Sequence, residues 1–280
     1  MKIYSKINDL AFNPDTVITV GAFDGLHLGH RKILERLAES ARERNYRQIV
    51  VTFARHPQLV LKDSGRAPLK LLTSHEERME LFERYGVENV LLIDFTHEFS
   101  EMPAARFVEE FLYEKVGFRR IIIGYDHLFG KNREGNETLL LRMGPMLGFD
   151  VEKVDPFVFG GQIISSSKVR LALLDGRVEQ AAQWLGYPYS IAGEVIYGEQ
   201  LGRRLGYPTA NINPDESLKL FPKDGIYLVK SEIDGQMKHG MANLGIRPTV
   251  GGEGARRLEV NYFDFAGDLY GRTLRVEFEA

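Results

Sequence analysis

The chain has 280 residues, 44% of them hydrophobic, a length that supports two moderate cores more readily than a single large one. Its formal net charge of -3 and pI near 6.2 exclude the strong basic bias of a domain that grips a nucleic-acid backbone. The absence of cysteine excludes disulfide frameworks, thiol nucleophiles and Cys-based zinc sites and is compatible with a reducing cytosol.

The opening MKIYSKINDLAF has no apolar leader core, and no later segment reaches about 18 uninterrupted apolar residues. The expectation is a cytoplasmic protein with neither membrane nor nucleic acid as partner. A weak homo-oligomer is compatible with the sequence, which does not specify one.

Residues 17–30, VITVGAFDGLHLGH, read as an apolar strand entering a glycine-spaced turn and then a helix. Gly21 and Gly25 allow a tight turn and close backbone approach, and the unpaired amides of the following helical turn point where an anion can sit. His27 and His30 lie three apart, so both rings can face one bound group, and a triphosphate suits that geometry. Their spacing also permits a metal, but no third ligand follows at helical spacing.

After His30, the run RKILERLAESARERN places Ile33, Leu34, Leu37 and Ala41 on one stripe of an amphipathic helix. Apolar runs at 49–53, 90–93 and 121–123 then alternate with helical stretches around 74–85 and 103–115. Alternation of this kind predicts a doubly wound parallel α/β sheet with ligand sites beyond the carboxyl ends of its strands. Three polar stretches fall at such ends: ARHP with His56, DFTHEF, and GYDHLFGKNREGN with Asp126, His127, Phe129, Lys131 and Arg133. The long connection 54–73 reads as a flap. The third stretch combines hydrogen-bonding groups, an aromatic face and cations, which suits a nucleotide or a flavin.

Residues 163–170, IISSSKVR, set Ser165, Ser166 and Ser167 at the start of a helix with Lys168 and Arg170 in its first turn. Cations there oppose the helix dipole and call for an anion; a polyphosphate supplies one. With the histidine pair, this gives two helix starts able to converge on one triphosphate.

In this order, GAFDGLHLGH, TFARHP, GYDHLFG and ISSSKVR resemble the adenylyltransferase half of bacterial bifunctional riboflavin kinase/FAD synthetases, across residue 17 to about 185. The resemblance implies that FMN phosphate attacks the α-phosphorus of ATP and pyrophosphate leaves, with no covalent enzyme intermediate. It implies further that His27, His30 and Arg170 stabilise charge on the triphosphate, that Ser165, Ser166, Ser167 and Lys168 bind it with Gly21, Phe23, Asp24 and Gly29, and that His56, Asp126 and Phe129 face the nucleotide or flavin. Ser167 stands where the family has threonine, and His127 where it has an aromatic residue.

Residues 176–189 read as a last helix ending at Gly186, which sets the expected boundary between domains 1–186 and 187–280. Beyond it come short strand-like runs, IAGEVIYG, GIYLVKSEI, KHGMANLG, RLEVNYFDF and LRVEFE, the pattern of a small antiparallel β-barrel. GEQLGRRLGYPTANI, 198–212, is too glycine-rich for a strand; Thr209 and Asn211 offer neutral oxygen ligands that suit magnesium. NLGIRPTVGG, 243–252, reads as a second flexible loop. On RRLEVNYFDF, Glu259 alternates with Leu258 and Val260 and faces away from them.

GRRLGYPTAN, NLGIRPT, LEVNYFDF and DLYG resemble the riboflavin kinase domain over residues 187–278. By that resemblance Glu259 orients and deprotonates the riboflavin 5′-hydroxyl, Thr209 and Asn211 hold Mg2+ and ATP, and Gly202, Arg203, Gly206 and Pro208 bind ATP, the glycines covering its phosphates. ATP is then a co-substrate, and riboflavin, FMN and FAD are substrates and products rather than prosthetic groups. Asn261 stands where the family often has histidine. Family members commonly continue past the last strand into a further helix that would shelter the flavin side, whereas this sequence stops at Ala280. The rival readings are a cytidylyl- or pantetheine-type transferase, a single-activity nucleotidyltransferase with a non-catalytic flavin-binding barrel, and a flavin-sensing or RNA-binding barrel. Glu259 beside PTAN argues against the first two; the lack of a basic run argues against RNA.

Overall fold

Residues 1–61, 68–198, 209–214, 218–246 and 256–280 are described by a computed structural model. The chain divides into two units: residues 1–69 with 75–164, and residues 70–74 with 165–280.

In the first unit six strands form one sheet: β1 (Lys2–Tyr4), β2 (Thr16–Val20), β3 (Arg47–Phe53), β4 (Asn89–Ile93), β5 (Arg120–Gly124) and β6 (Asp150–Val154). Their order is β1-β4-β3-β2-β5-β6, and every neighbouring pair is parallel. Helix α1 (Leu28–Arg44) links β2 to β3, α2 (Pro57–Val60) and α3 (His75–Arg84) precede β4, and α4 (His97–Ser100) and α5 (Ala104–Arg106) lead into a π-helical segment, Phe107–Val116. Helix α6 (Glu137–Leu147) precedes β6.

Alternate strand residues explain the two layers. Ile18, Val20, Ile49, Val51, Leu91, Ile93, Ile121 and Ile123 pack with Val108, Leu112 and Val116 of the π-helical segment and Leu140 of α6 in one buried cluster. The amphipathic stripe of α1 buries Leu34, Leu37 and Ala41, and that helix contacts β2, β3 and β5. The doubly wound expectation therefore holds. From β2 the chain steps through β3 to β4, then returns beside β2 as β5, so the winding direction reverses between β2 and β5. In open α/β sheets ligands bind at that reversal, beyond the carboxyl ends of the strands. A short hairpin, β7 (Val158–Phe159) with β8 (Gln162–Ile163), follows the sheet.

The second unit begins with α7 (Ser166–Leu174) and α8 (Val178–Leu185), the latter closed by Gly186 at φ 81°. Among the described residues six strands follow: β9 (Ser190–Ile196), β10 (Ala210–Pro214), β11 (Gly225–Ile233), β12 (Gln236–Ile246), β13 (Arg256–Tyr262) and β14 (Thr273–Phe278). They close into an antiparallel barrel in the order β10-β13-β12-β11-β14-β9, as expected for this half. Two stretches differ from the sequence reading. Residues 198–212 are not strand-free, because β10 starts at Ala210 once the glycines have passed, and Asn243 to Ile246 belong to β12 rather than to a loop.

The connection read as a flap, 54–73, also proves heterogeneous. It contains α2, and its far end belongs to the second unit, where Leu71 bridges Lys219. There Lys219 Nζ donates to the Leu72 carbonyl at 2.8 Å and lies over the Tyr189 ring. Residues 62–67 of the expected flap lie outside the described residues.

Candidate active sites

All five residues of β2 are buried, so the turn after it starts from a fixed point at the sheet reversal. Phe23, Gly25 and Leu26 have φ of 52°, 79° and 30°. Left-handed backbone at a non-glycine residue costs on the order of 1–3 kcal/mol; here the turn buries the side chains of both Phe23 and Leu26, which offsets it. A Cβ on Gly21 would lie 2.9 Å from the Phe23 ring. The ring is sealed between His30 and Phe82, at centroid distances of 5.2 and 5.6 Å. Asp24 is buried as well.

His27 is the N-cap of α1, and its Nδ1 accepts the His30 backbone N–H at 3.3 Å. An Nδ1 that accepts fixes the neutral tautomer with the proton on Nε2, leaving Nε2–H as the donor. The two histidine rings are stacked, with centroids 3.8 Å apart and planes 16° from parallel. Gly29 makes room for this, since a Cβ there would lie 3.1 Å from both Cε1 and Nδ1 of His27. The structure thus brings His27, His30, Gly21, Phe23, Asp24 and Gly29 into one turn.

Beyond β3, His56 caps α2 through an N–H from Gln58 at 3.2 Å. Arg55 pairs with Asp94 at 3.0 Å, linking the ends of β3 and β4. Beyond β5, Asp126 is exposed and its Oδ1 turns back to within 3.8 Å of where a Gly124 Cβ would stand. His127 stacks on Phe129 at 5.3 Å, and burial pushes its imidazole down to about 4, so it is neutral near pH 7. Gly135 leaves space for the Phe129 ring, which its Cβ would meet at 2.6 Å. Lys131 of this loop is paired with Glu101 at 2.7 Å.

A row of rings that sequence reading missed runs from Phe53 through Phe95, Phe99 and Phe107 to Phe129, with successive centroids 5.3 to 6.0 Å apart. The available signal was the i,i+4 pair Phe95 and Phe99 inside DFTHEF.

In the second unit, Ser165 caps α7 by accepting the Lys168 N–H at 3.4 Å, and Ser166, Ser167, Lys168 and Arg170 lie on the helix's first turns. Arg170 Nε donates to the Lys70 carbonyl at 2.8 Å. The histidine turn and the serine-rich helix start thus belong to different units.

The barrel brings together a second group of candidate residues. Asn211 of β10 stands opposite Glu259 of β13, and Glu259 stands opposite Asn243 of β12 on its other side. Cross-strand partners project to one face, so these three make a polar row. Leu258, Val260 and Tyr262 are buried in the barrel, whereas Glu259 and Asn261 are half-buried on its other face, as the alternation predicts. The Asn211 carboxamide lies over Gly198 and leaves no room for a Cβ there. Thr209 is half-buried immediately before β10. Hydroxyl, amide carbonyl and carboxylate oxygens form a hard donor set that fits Mg2+. Asn243 was missed because NLG reads as a turn. Gly202, Arg203, Gly206 and Pro208 lie outside the described residues.

Both halves match known families: residues 9–168 that of FAD synthetase and residues 185–280 that of riboflavin kinase. The chain is 38% identical to the bifunctional riboflavin kinase/FMN adenylyltransferase of Escherichia coli K12, over 99% of this chain and 88% of the relative. The chain belongs to the bifunctional riboflavin kinase/FMN adenylyltransferase family.

Another member of the family, from Pseudomonas fluorescens, is 40% identical over 94% of this chain and 83% of its own length. Among solved structures, one described as a macrolide-efflux protein from Streptococcus pneumoniae superposes with a TM-score of 0.88 at 32% identity, covering 99% of this chain and 89% of that one. No described helix of the present family member is long and apolar enough to cross a membrane.

Proposed function

We propose that the chain phosphorylates riboflavin to FMN with its barrel and adenylylates FMN to FAD with its α/β domain, consuming ATP in each step. The observation that carries this reading is the presence, inside each matched domain, of an assembled reactive constellation: stacked His27 and His30 at the sheet reversal, and Asn211 beside Glu259 on the barrel. A single-activity transferase with a passive barrel has no use for the second. The functional boundary falls at residues 186/187, after α8, although α7 and α8 group with the barrel by their contacts.

In the adenylyl step an FMN phosphate oxygen attacks the α-phosphorus of ATP, a P–O bond forms, and the bond to the leaving pyrophosphate breaks. Negative charge moves onto the phosphoryl and leaving oxygens. His27 donates from Nε2, His30 and Arg170 add charge stabilisation, and Ser165, Ser166, Ser167 and Lys168 hold the triphosphate. Preorganised donors of this kind supply most of the catalysis in phosphoryl chemistry. Gly21, Asp24, Gly29 and the backbone of the sealed Phe23 shape the ATP turn. His56, Asp126 and Phe129 serve the flavin side; neutral His127 extends the aromatic surface of Phe129.

In the kinase step Glu259 accepts the proton of the riboflavin 5′-hydroxyl as that oxygen attacks the γ-phosphorus and ADP leaves. Thr209 and Asn211 hold Mg2+, which when bound neutralises the phosphate charge. Gly202, Arg203, Gly206 and Pro208 cover the phosphates. The cytoplasm, with its ATP supply, is the proposed location.

The direct test is incubation with riboflavin, ATP and magnesium and separation of the flavins by chromatography. Successive FMN and FAD are expected; FMN without FAD, or neither, overturns the corresponding half.

A further inference from the structure

Arg78 of α3 is only 6% exposed although it is charged. Its guanidinium joins two strand ends: Nη1 donates to the Ala22 carbonyl at 3.0 Å and Nη2 to the Phe53 carbonyl at 2.6 Å. Ala22 lies inside the turn after β2, and Phe53 is the last residue of β3. One helical turn on, Phe82 is fully buried and meets the edge of Phe23, whose ring also meets His30. Residues four apart share a helix face. That face of α3 therefore grips the turn twice, at the Ala22 carbonyl and at the Phe23 ring. From Phe23 the contact passes to His30 and by stacking to His27.

We propose that Arg78 is a positioning residue for adenylyl transfer, fixing the turn after β2 so that His30 and His27 meet the triphosphate. The inference rests on the proposed ATP role of that turn. A planar guanidinium spans two carbonyls in a fixed fork, which an ammonium does not. The bond to Ala22 acts where the backbone holds its left-handed residues, so loosening it releases Phe23 and, through it, both histidines. Displacements of about 1 Å in a positioned group cost on the order of 100-fold in rate.

The test uses the full chain and two substitutions, Arg78→Gln and Arg78→Lys, with steady-state FMN-to-FAD kinetics at varied ATP and varied FMN and with riboflavin-to-FMN turnover in parallel. For Arg78→Gln, kcat/KM for ATP is expected to fall on the order of 100-fold, with KM for FMN and the kinase rate unchanged. Arg78→Lys keeps the charge and the apolar stem but not the fork and is expected to fall between the parent and the glutamine variant, so it decides the matter if the glutamine variant does not fold. Values within twofold of the parent for whichever variants fold overturn the proposal. So does a parallel fall in both activities together with the unfolding midpoint, which marks a merely structural tie. His30→Ala serves as the separate control: if it synthesises FAD at the parental rate, the ATP role of the turn fails, whatever Arg78 does.

Discussion

His30 lies flat against His27, ring on ring at 3.8 Å, while its backbone N–H is bonded to His27 Nδ1. One imidazole thus has two tasks, capping α1 and presenting Nε2–H. The tasks are separable. Asparagine is among the strongest N-caps, so His27→Asn should keep α1 and the unfolding midpoint while removing the ring donor. The expected result is a fall of two to three orders of magnitude in FMN-to-FAD turnover, or about 2.7–4 kcal/mol, with FMN accumulating from riboflavin. His30→Ala should do the same. Unchanged FAD formation in either variant removes that histidine from the mechanism.

Gly29 gives a sharper contrast between stability and activity. In the first turn of α1, alanine is favoured over glycine by up to about 1 kcal/mol, yet its Cβ would press on the His27 ring at 3.1 Å. Gly29→Ala should therefore keep most of its stability, the helix gain offsetting the contact, and make FAD at least tenfold more slowly. Thermal unfolding and FAD turnover on the same preparation check both halves. A fully active variant would show that the His27 ring is free to move.

The histidine turn was legible because its signals are local: an apolar run, glycines at turn spacing and the 3.6-residue stripe of α1. The barrel strands were legible for the same reason, through alternation. β10 was hidden because Ala210 to Pro214 follow a glycine-rich tract and owe their strand form to pairing with β9 and β13. The edge strand β1 has only three residues, too few for a periodic signal. Arg78 was hidden for another reason: periodicity ranks residues by polarity, and a buried arginine that satisfies strand-end carbonyls breaks the ranking. Asn243 gained meaning only from its register with Glu259.

The barrel row predicts a one-sided defect. Glu259→Gln keeps the size and hydrogen-bonding capacity beside Asn211 but cannot take a proton. FMN formation from riboflavin should fall by roughly 100-fold or more, while FMN supplied directly is still converted to FAD. Asn211→Ala should instead raise the magnesium concentration needed for half-maximal kinase rate. Loss of both activities in Glu259→Gln would contradict two independent sites.

His127 makes the first domain sensitive to acid. Burial lowers its pKa from 6.5 to about 4, so between those values the unfolded chain binds a proton that the folded chain refuses. Stability therefore rises with pH across this window: the His127 contribution is neutral above about pH 7, turns unfavourable as pH falls through 6.5, and levels off below 4. Because the ring is half-buried, the expected cost by pH 5 is on the order of 1 kcal/mol. His127→Phe keeps an aromatic ring against Phe129 without a titrating group. It should unfold at higher urea than the parent at pH 5, by an amount that shrinks as the pH rises toward 8. If flavin packs on this surface, the variant should also hold KM for FMN at or below the parental value. An equal gain in stability at both pH values would mean that the substitution acts through packing and not through the proton.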